Sequence, residues 1–157
     1  MIGGDGYVYI ALNAVSKIGK VHPATGHIEM FDIPIPNSTP KKGEVDSQGN
    51  VWFALQNGNA LLKIDVKTMK MTTHTPPTEA TGIYAATVDR NKDLVWYCTQ
   101  WTHQVGRFDP KTETWVEFYV PNAESDMRRC QVDQKNPNRL WWSGNNSSWM
   151  GYVELLQ

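Results

Sequence analysis

The stretch GNVWFALQ, residues 49–56, sets Trp52 beside Phe53. In an extended strand neighbouring side chains leave on opposite faces, so both faces of this strand must be covered. Three further stretches repeat it: GYVYIALN at 6–13, DLVWYCTQ at 93–100 and RLWWSGNN at 139–146. Their lead aromatics, Tyr9, Trp52, Trp96 and Trp141, stand 43, 44 and 45 residues apart. A period in the low forties is that of a four-stranded propeller blade. In such an array each blade is sandwiched between two others, which answers the demand made by Trp52 and Phe53.

The rest of the repeat agrees. Twelve positions after each aromatic stands an apolar residue, Val21, Ile64, Phe108 or Val153. Turn sequences follow in three copies: HPATG from 22, DVKTM from 65 and DPKTE from 109. Asp or Pro there, with Thr close behind, suits a tight turn whose side chains bond back to the backbone. The innermost strand is read from KGEVD (42–46), AATVD (85–89) and CQVDQ (130–134). The third strand is KIGKV, LLKID, QVGRF or MGYVE, and the fourth HIEMFDIP, KMTTHTPP or TWVEFYVP. The closing prolines lack the donor a further strand would need and mark an outer edge. No segment holds a helical period. The fold class predicted is all-β, a propeller array with approximate blades 1–36, 37–80, 81–123 and 124–157.

Composition agrees with this and excludes several functions. The 157 residues fit a single domain and carry seven Trp, six Tyr and four Phe beside 12 Gly and nine Pro. Fifteen Lys and Arg against 16 Asp and Glu leave a net charge of −1, which gives no electrostatic case for nucleic acid or an anionic membrane. No apolar run reaches the ~20 residues of a membrane span, and MIGGDGYVYI carries no secretion signal. The expected location is the cytoplasm, or the periplasm if the chain belongs to a longer exported protein. Cys98 and Cys130 lack metal spacing and are read as packed free thiols. Phosphate-cradling glycine loops, zinc-protease helices and nucleophile elbows are all missing. The sequons in NNSS (145–148) carry no weight without a secretion signal.

The repeats SQGNVWFALQNGNALLKIDVKTMKM and KDLVWYCTQWTHQVGRFDPKTETWVEFYVP resemble those of the virginiamycin B lyase (streptogramin B lyase) family of β-propellers. The resemblance implies blades of a ring that is typically seven-bladed and about twice this length. It also implies a possible activity, the opening of a cyclic depsipeptide by elimination across its ester, with Mg²⁺ and a cluster of His and Glu near the channel mouth. Two departures count against the activity. Where the family's aromatic strand commonly runs on into an acidic residue, this chain has Leu12, Leu55, Thr99 and Gly144. Where the family often enters the inner strand through Pro-His-Gly, this chain reads TPKKG, GIYAA and MRRCQ. Of the four histidines, His22 falls in a turn and His27 and His74 on outer strands. Only His103, in QWTHQVG, is placed to reach a propeller end, as a weak catalytic candidate.

Propeller ligands bind where loops converge on the central channel. Alignment on Val45, Val88 and Val132 sets Lys41 level with Tyr84 and Arg128, Lys42 with Ala85 and Arg129, and Glu44 with Thr87 and Gln131. Two inner strands thus begin with paired cations, a candidate seat for a small anionic ligand. Trp101, in the same loop as His103, is a further candidate contact. The ligand-binding set is therefore Lys41, Lys42, Glu44, Tyr84, Trp101, His103, Arg128 and Arg129, with no metal site and no cofactor. The function expected is a non-catalytic ligand- or partner-binding propeller. The alternative is a Mg²⁺-dependent lyase whose site forms only in an assembly. Only MIGG precedes the first aromatic strand, and GYVELLQ follows the last, so an open arc of about four blades is expected, the last lacking its outer strand. Its end faces, carrying Tyr9 or Trp141 and Trp142, would drive a head-to-tail homodimer that closes a ring of seven or eight blades.

Overall fold

The computed structural model of the chain describes residues 1–121 and 124–156. They form antiparallel strands arranged as four successive blades, and the one helical element among them is a 3-10 turn at Asn13–Val15. The first blade holds β1 (Val8–Leu12), β2 (Lys17–Val21) and β3 (Ile28–Asp32), with Ile2 bridged to Val8 on the inner side. The second holds β4 (Pro40–Val45), β5 (Val51–Leu55), β6 (Ala60–Ile64) and β7 (Met71–His74). β8 (Ile83–Asp89), β9 (Leu94–Thr99), β10 (Gln104–Asp109) and β11 (Thr114–Tyr119) make the third. The fourth has β12 (Met127–Val132), β13 (Arg139–Gly144) and β14 (Met150–Glu154). Strands follow one another within each blade as a meander. β4 and β8 are joined by a single parallel pair, Lys42 with Ala85, where innermost strands converge.

The core consists of three blade–blade interfaces. In the first, Tyr9 and Ile18 pack on Val51, Phe53 and Leu55. Trp52, Ala54 and Leu61 pack on Val95, Tyr97 and Phe108 in the second. Trp96, Cys98 and Val105 pack on Met127, Leu140 and Trp142 in the third. Trp52 and Phe53 therefore serve different interfaces, as do Trp96 and Tyr97. Each of these large side chains is fully buried and contributes about 1.5–3 kcal/mol. The end blades correct one expectation. Tyr9 and Trp142 turn inward, and of the three rings expected on open faces only Trp141 lies on one. The reason is the alternation of the strand: Tyr9 shares its face with Ala11, toward the second blade, and the outward face carries Val8, Ile10 and Leu12.

Turn chemistry is supplied by the aspartates. Asp65 Oδ1 accepts the backbone N–H groups of Lys67 and Thr68, and Asp109 Oδ1 that of Lys111. Such caps satisfy donors that the strand ladder leaves free.

Candidate functional site

Each innermost strand begins with one extra residue. The register slips between Pro40 and Gly43 in β4, between Ile83 and Ala85 in β8, and between Met127 and Arg129 in β12. These are β-bulges, which re-aim side chains at a strand's end. The bulged residues are Lys41 and Lys42, Tyr84, and Arg128. In β4 the kink depends on Gly43, since a Cβ there would stand 1.7 Å from the Trp52 carbonyl oxygen.

The bulges gather charge around one ring. Lys41 Nζ lies 5.1 Å, Lys42 Nζ 5.6 Å and Arg128 Cζ 5.5 Å from the Tyr84 ring centroid. These separations suit cation–π attraction. Lys42 Nζ donates to the Arg128 carbonyl at 3.1 Å, and Arg128 Nε donates to Asp126 at 3.0 Å. Among the described residues no carboxylate pairs with Lys41, Lys42 or Arg129. Burial, and then the Arg128 guanidinium, hold Lys41 below the ordinary lysine value; burial, and then Arg129, do the same for Lys42. A small recess of about 210 Å³ is lined by Lys42, Tyr84, Arg128, Arg129 and the end of β13, Ser143 and Gly144, with Asn145 just beyond it. Beside it a wider cavity of about 680 Å³ runs along the inner strands, past Glu44, Cys130 and Gln131 to Trp141.

Six of the eight candidate residues thus meet, and two do not. Glu44 lines the wide cavity, but its carboxylate is occupied: it accepts the Val88 N–H at 3.0 Å, the Thr87 hydroxyl and Gln131 Nε2, and pairs with Arg90 at 3.4 Å. It ties three blades together. Trp101 is half exposed and lies flat against Gly82, away from both cavities. His103 likewise lines neither. Its Nδ1 bonds Ser125 Oγ at 3.1 Å and its Nε2 accepts the Glu124 N–H at 3.4 Å, so both ring nitrogens serve the loop. Ser143, Gly144 and Asn145 were not legible as lining residues, because they reach the recess through the pairing of the end of β13 with the bulged start of β12, which residue spacing does not show.

Among the described residues no three His, Cys, Asp or Glu side chains converge on a point where a metal ion could be held.

No protein-family model and no curated protein sequence matches the chain. Solved structures do. Virginiamycin B lyase from Staphylococcus aureus superposes with a TM-score of 0.80 at 22% identity, covering 100% of this chain and 55% of that one. The fold is that of the virginiamycin B lyase propeller. A streptogramin B lyase structure gives a TM-score of 0.80 at 20% identity, over 100% of this chain and 54% of the other. An auxiliary nutrient binding protein from Bacteroides ovatus gives 0.75 at 10% identity, over 98% and 37%. The chain spans about half the length of the two lyases, and at these identities the likeness is one of fold.

Proposed function

We propose that this chain is a binding propeller of the virginiamycin B lyase-like kind, whose ligand presents an anionic group to the cations around Tyr84. The observation that carries the reading is the set of bulges that turns Lys41, Lys42 and Arg128 toward one ring, with Arg129 alongside, while Lys41, Lys42 and Arg129 keep no carboxylate partner among the described residues. A carboxylate or phosphate there gains charge-assisted hydrogen bonds, and Tyr84 offers a flat apolar wall. General support comes from a structure described as an auxiliary nutrient binding protein, which shares this fold over 37% of its length. Calorimetric titration with inorganic phosphate tests the seat. Arg129→Ala should weaken binding by about 1–3 kcal/mol, the loss of one partly buried charge-assisted contact. Equal affinity in the Arg128/Arg129 double alanine variant would return these residues to ordinary surface charge.

The lyase alternative makes a separate prediction. No opening of a streptogramin B lactone is expected from this chain, since among the described residues no three carboxylate, histidine or cysteine side chains cluster. Mg²⁺-dependent turnover that disappears in His103→Ala would reverse the ranking of the two readings.

A further inference from the structure

The third blade and the fourth each bring a cysteine to the interface they share. Cys98 on β9 is wholly buried, and Cys130 on β12 packs against the same apolar cluster. Each thiol reaches across the gap to the other blade. Cys98 Sγ donates to the Met127 carbonyl of β12 at 3.8 Å, and Cys130 Sγ donates to the Ala85 carbonyl of β8 at 3.5 Å. Ala85 stands directly opposite Cys98 in the pairing of β8 with β9. The two sulfurs therefore cross one gap in opposite directions, and they meet there: burial first, and then the hydrogen bond with Cys98, push the Cys130 thiol up. Met127, Leu140 and Trp142 enclose Cys98, whereas Cys130 also borders the wide cavity along the inner strands. One thiol can thus be reached from the cavity, and the other stands shielded behind it.

We infer that Cys98 and Cys130 form a reversible dithiol–disulfide pair, closed by small disulfides such as glutathione disulfide. Cys130 reacts first, from the cavity. Its thiolate attacks one sulfur of the small disulfide, the Cys130–glutathione bond forms, and one glutathione leaves as its thiolate. The Cys98 thiolate then attacks the Cys130 sulfur, closes the Cys98–Cys130 bond and expels the second glutathione. The two cysteine protons end on the two glutathione thiols, and the two electrons lost by the protein reduce the small disulfide. Lys42 supports the first step, since its ammonium lies within electrostatic reach of both sulfurs and favours the thiolate. The raised Cys130 thiol keeps the exchange slow near neutral pH. The new bond staples β9 to β12 just behind the cations, because Arg129 adjoins Cys130 and Tyr84 adjoins Ala85. The inference needs only the two sulfurs and does not rest on the anion-seat reading.

Prolonged incubation of the reduced, folded chain with glutathione disulfide at mildly alkaline pH, followed by mass spectrometry, tests it. The expected product is lighter by two hydrogen atoms, carries no glutathione, and yields one peptide pair linked through Cys98 and Cys130. A non-reducing gel should show no crosslink between chains, and dithiothreitol should restore both thiols. In Cys98→Ala the glutathione should stay on Cys130, since the thiol that expels it is gone. In Cys130→Ala, folded by circular dichroism, Cys98 should stay unmodified. The parent chain decides the matter even if the Cys98 variant does not fold. Two free thiols at the end of the incubation, a glutathione adduct that persists on the parent chain, or crosslinks only between chains would overturn the inference.

Discussion

Asp46 stands at the end of an innermost strand, and its buried carboxylate organises the turn that follows. It accepts the backbone N–H of Asn50 at 2.8 Å, that of Gln48 at 3.0 Å and the indole N–H of Trp52 at 3.1 Å. One acidic side chain thereby closes a turn and fixes the ring that fills the next interface. Asp46→Ala strands these donors in a buried place, so a loss of about 2–4 kcal/mol is expected in urea unfolding. Asp93→Ala is the fitting comparison, because Asp93 bonds Ser47 at the surface, and about 1 kcal/mol or less should go. Equal losses would remove Asp46 from its organising role. The Val-Asp ending of the inner strand was legible in the sequence, and so was the split between Trp52 and Phe53. The indole partner was not, since nothing in residue spacing tells which atom a buried carboxylate will meet.

Among the elements, the innermost strands carry the consequence for function. Alignment on Val45, Val88 and Val132 set Lys41, Tyr84 and Arg128 level, and the structure does gather them. The bulges responsible left no mark in the sequence beyond Gly43, because one extra residue looks like any other until pairing partners are known. Sequence reasoning also had no means of seeing that Glu44 is consumed by Thr87 and Val88 or that His103 is tied to Ser125, since both facts depend on contacts between distant segments. The lowered Lys41 and Lys42 set a pH dependence. An anion needs both ammonium groups charged, so phosphate affinity should fall as the pH rises, beginning below the ordinary lysine value of 10.5. Stability runs the other way. The unfolded chain keeps these two protons to higher pH than the folded chain does, so just under 10.5 their contribution to stability grows with pH. Lys42→Met should flatten that gain relative to the parent chain in thermal melts from pH 8.5 upward. An unchanged slope would show that Lys42 is not the group responsible.

At the scale of the molecule, a period of 43 to 45 residues carried most of the architecture, because a blade that cannot cover itself must stack on another. The handling of the ends was less legible: the alternation of β1 sends Tyr9 inward, and only the paired register reveals it. The inner strands of successive blades converge, and convergence brings cations from separate blades around one tyrosine. That convergence is what turns a repeat into a site. The most direct test is a crystal structure determined with inorganic phosphate. A phosphate bonded to Lys42 and Arg129 beside the Tyr84 ring is the predicted result. Phosphate held elsewhere, with that recess vacant at a saturating concentration, would contradict the account.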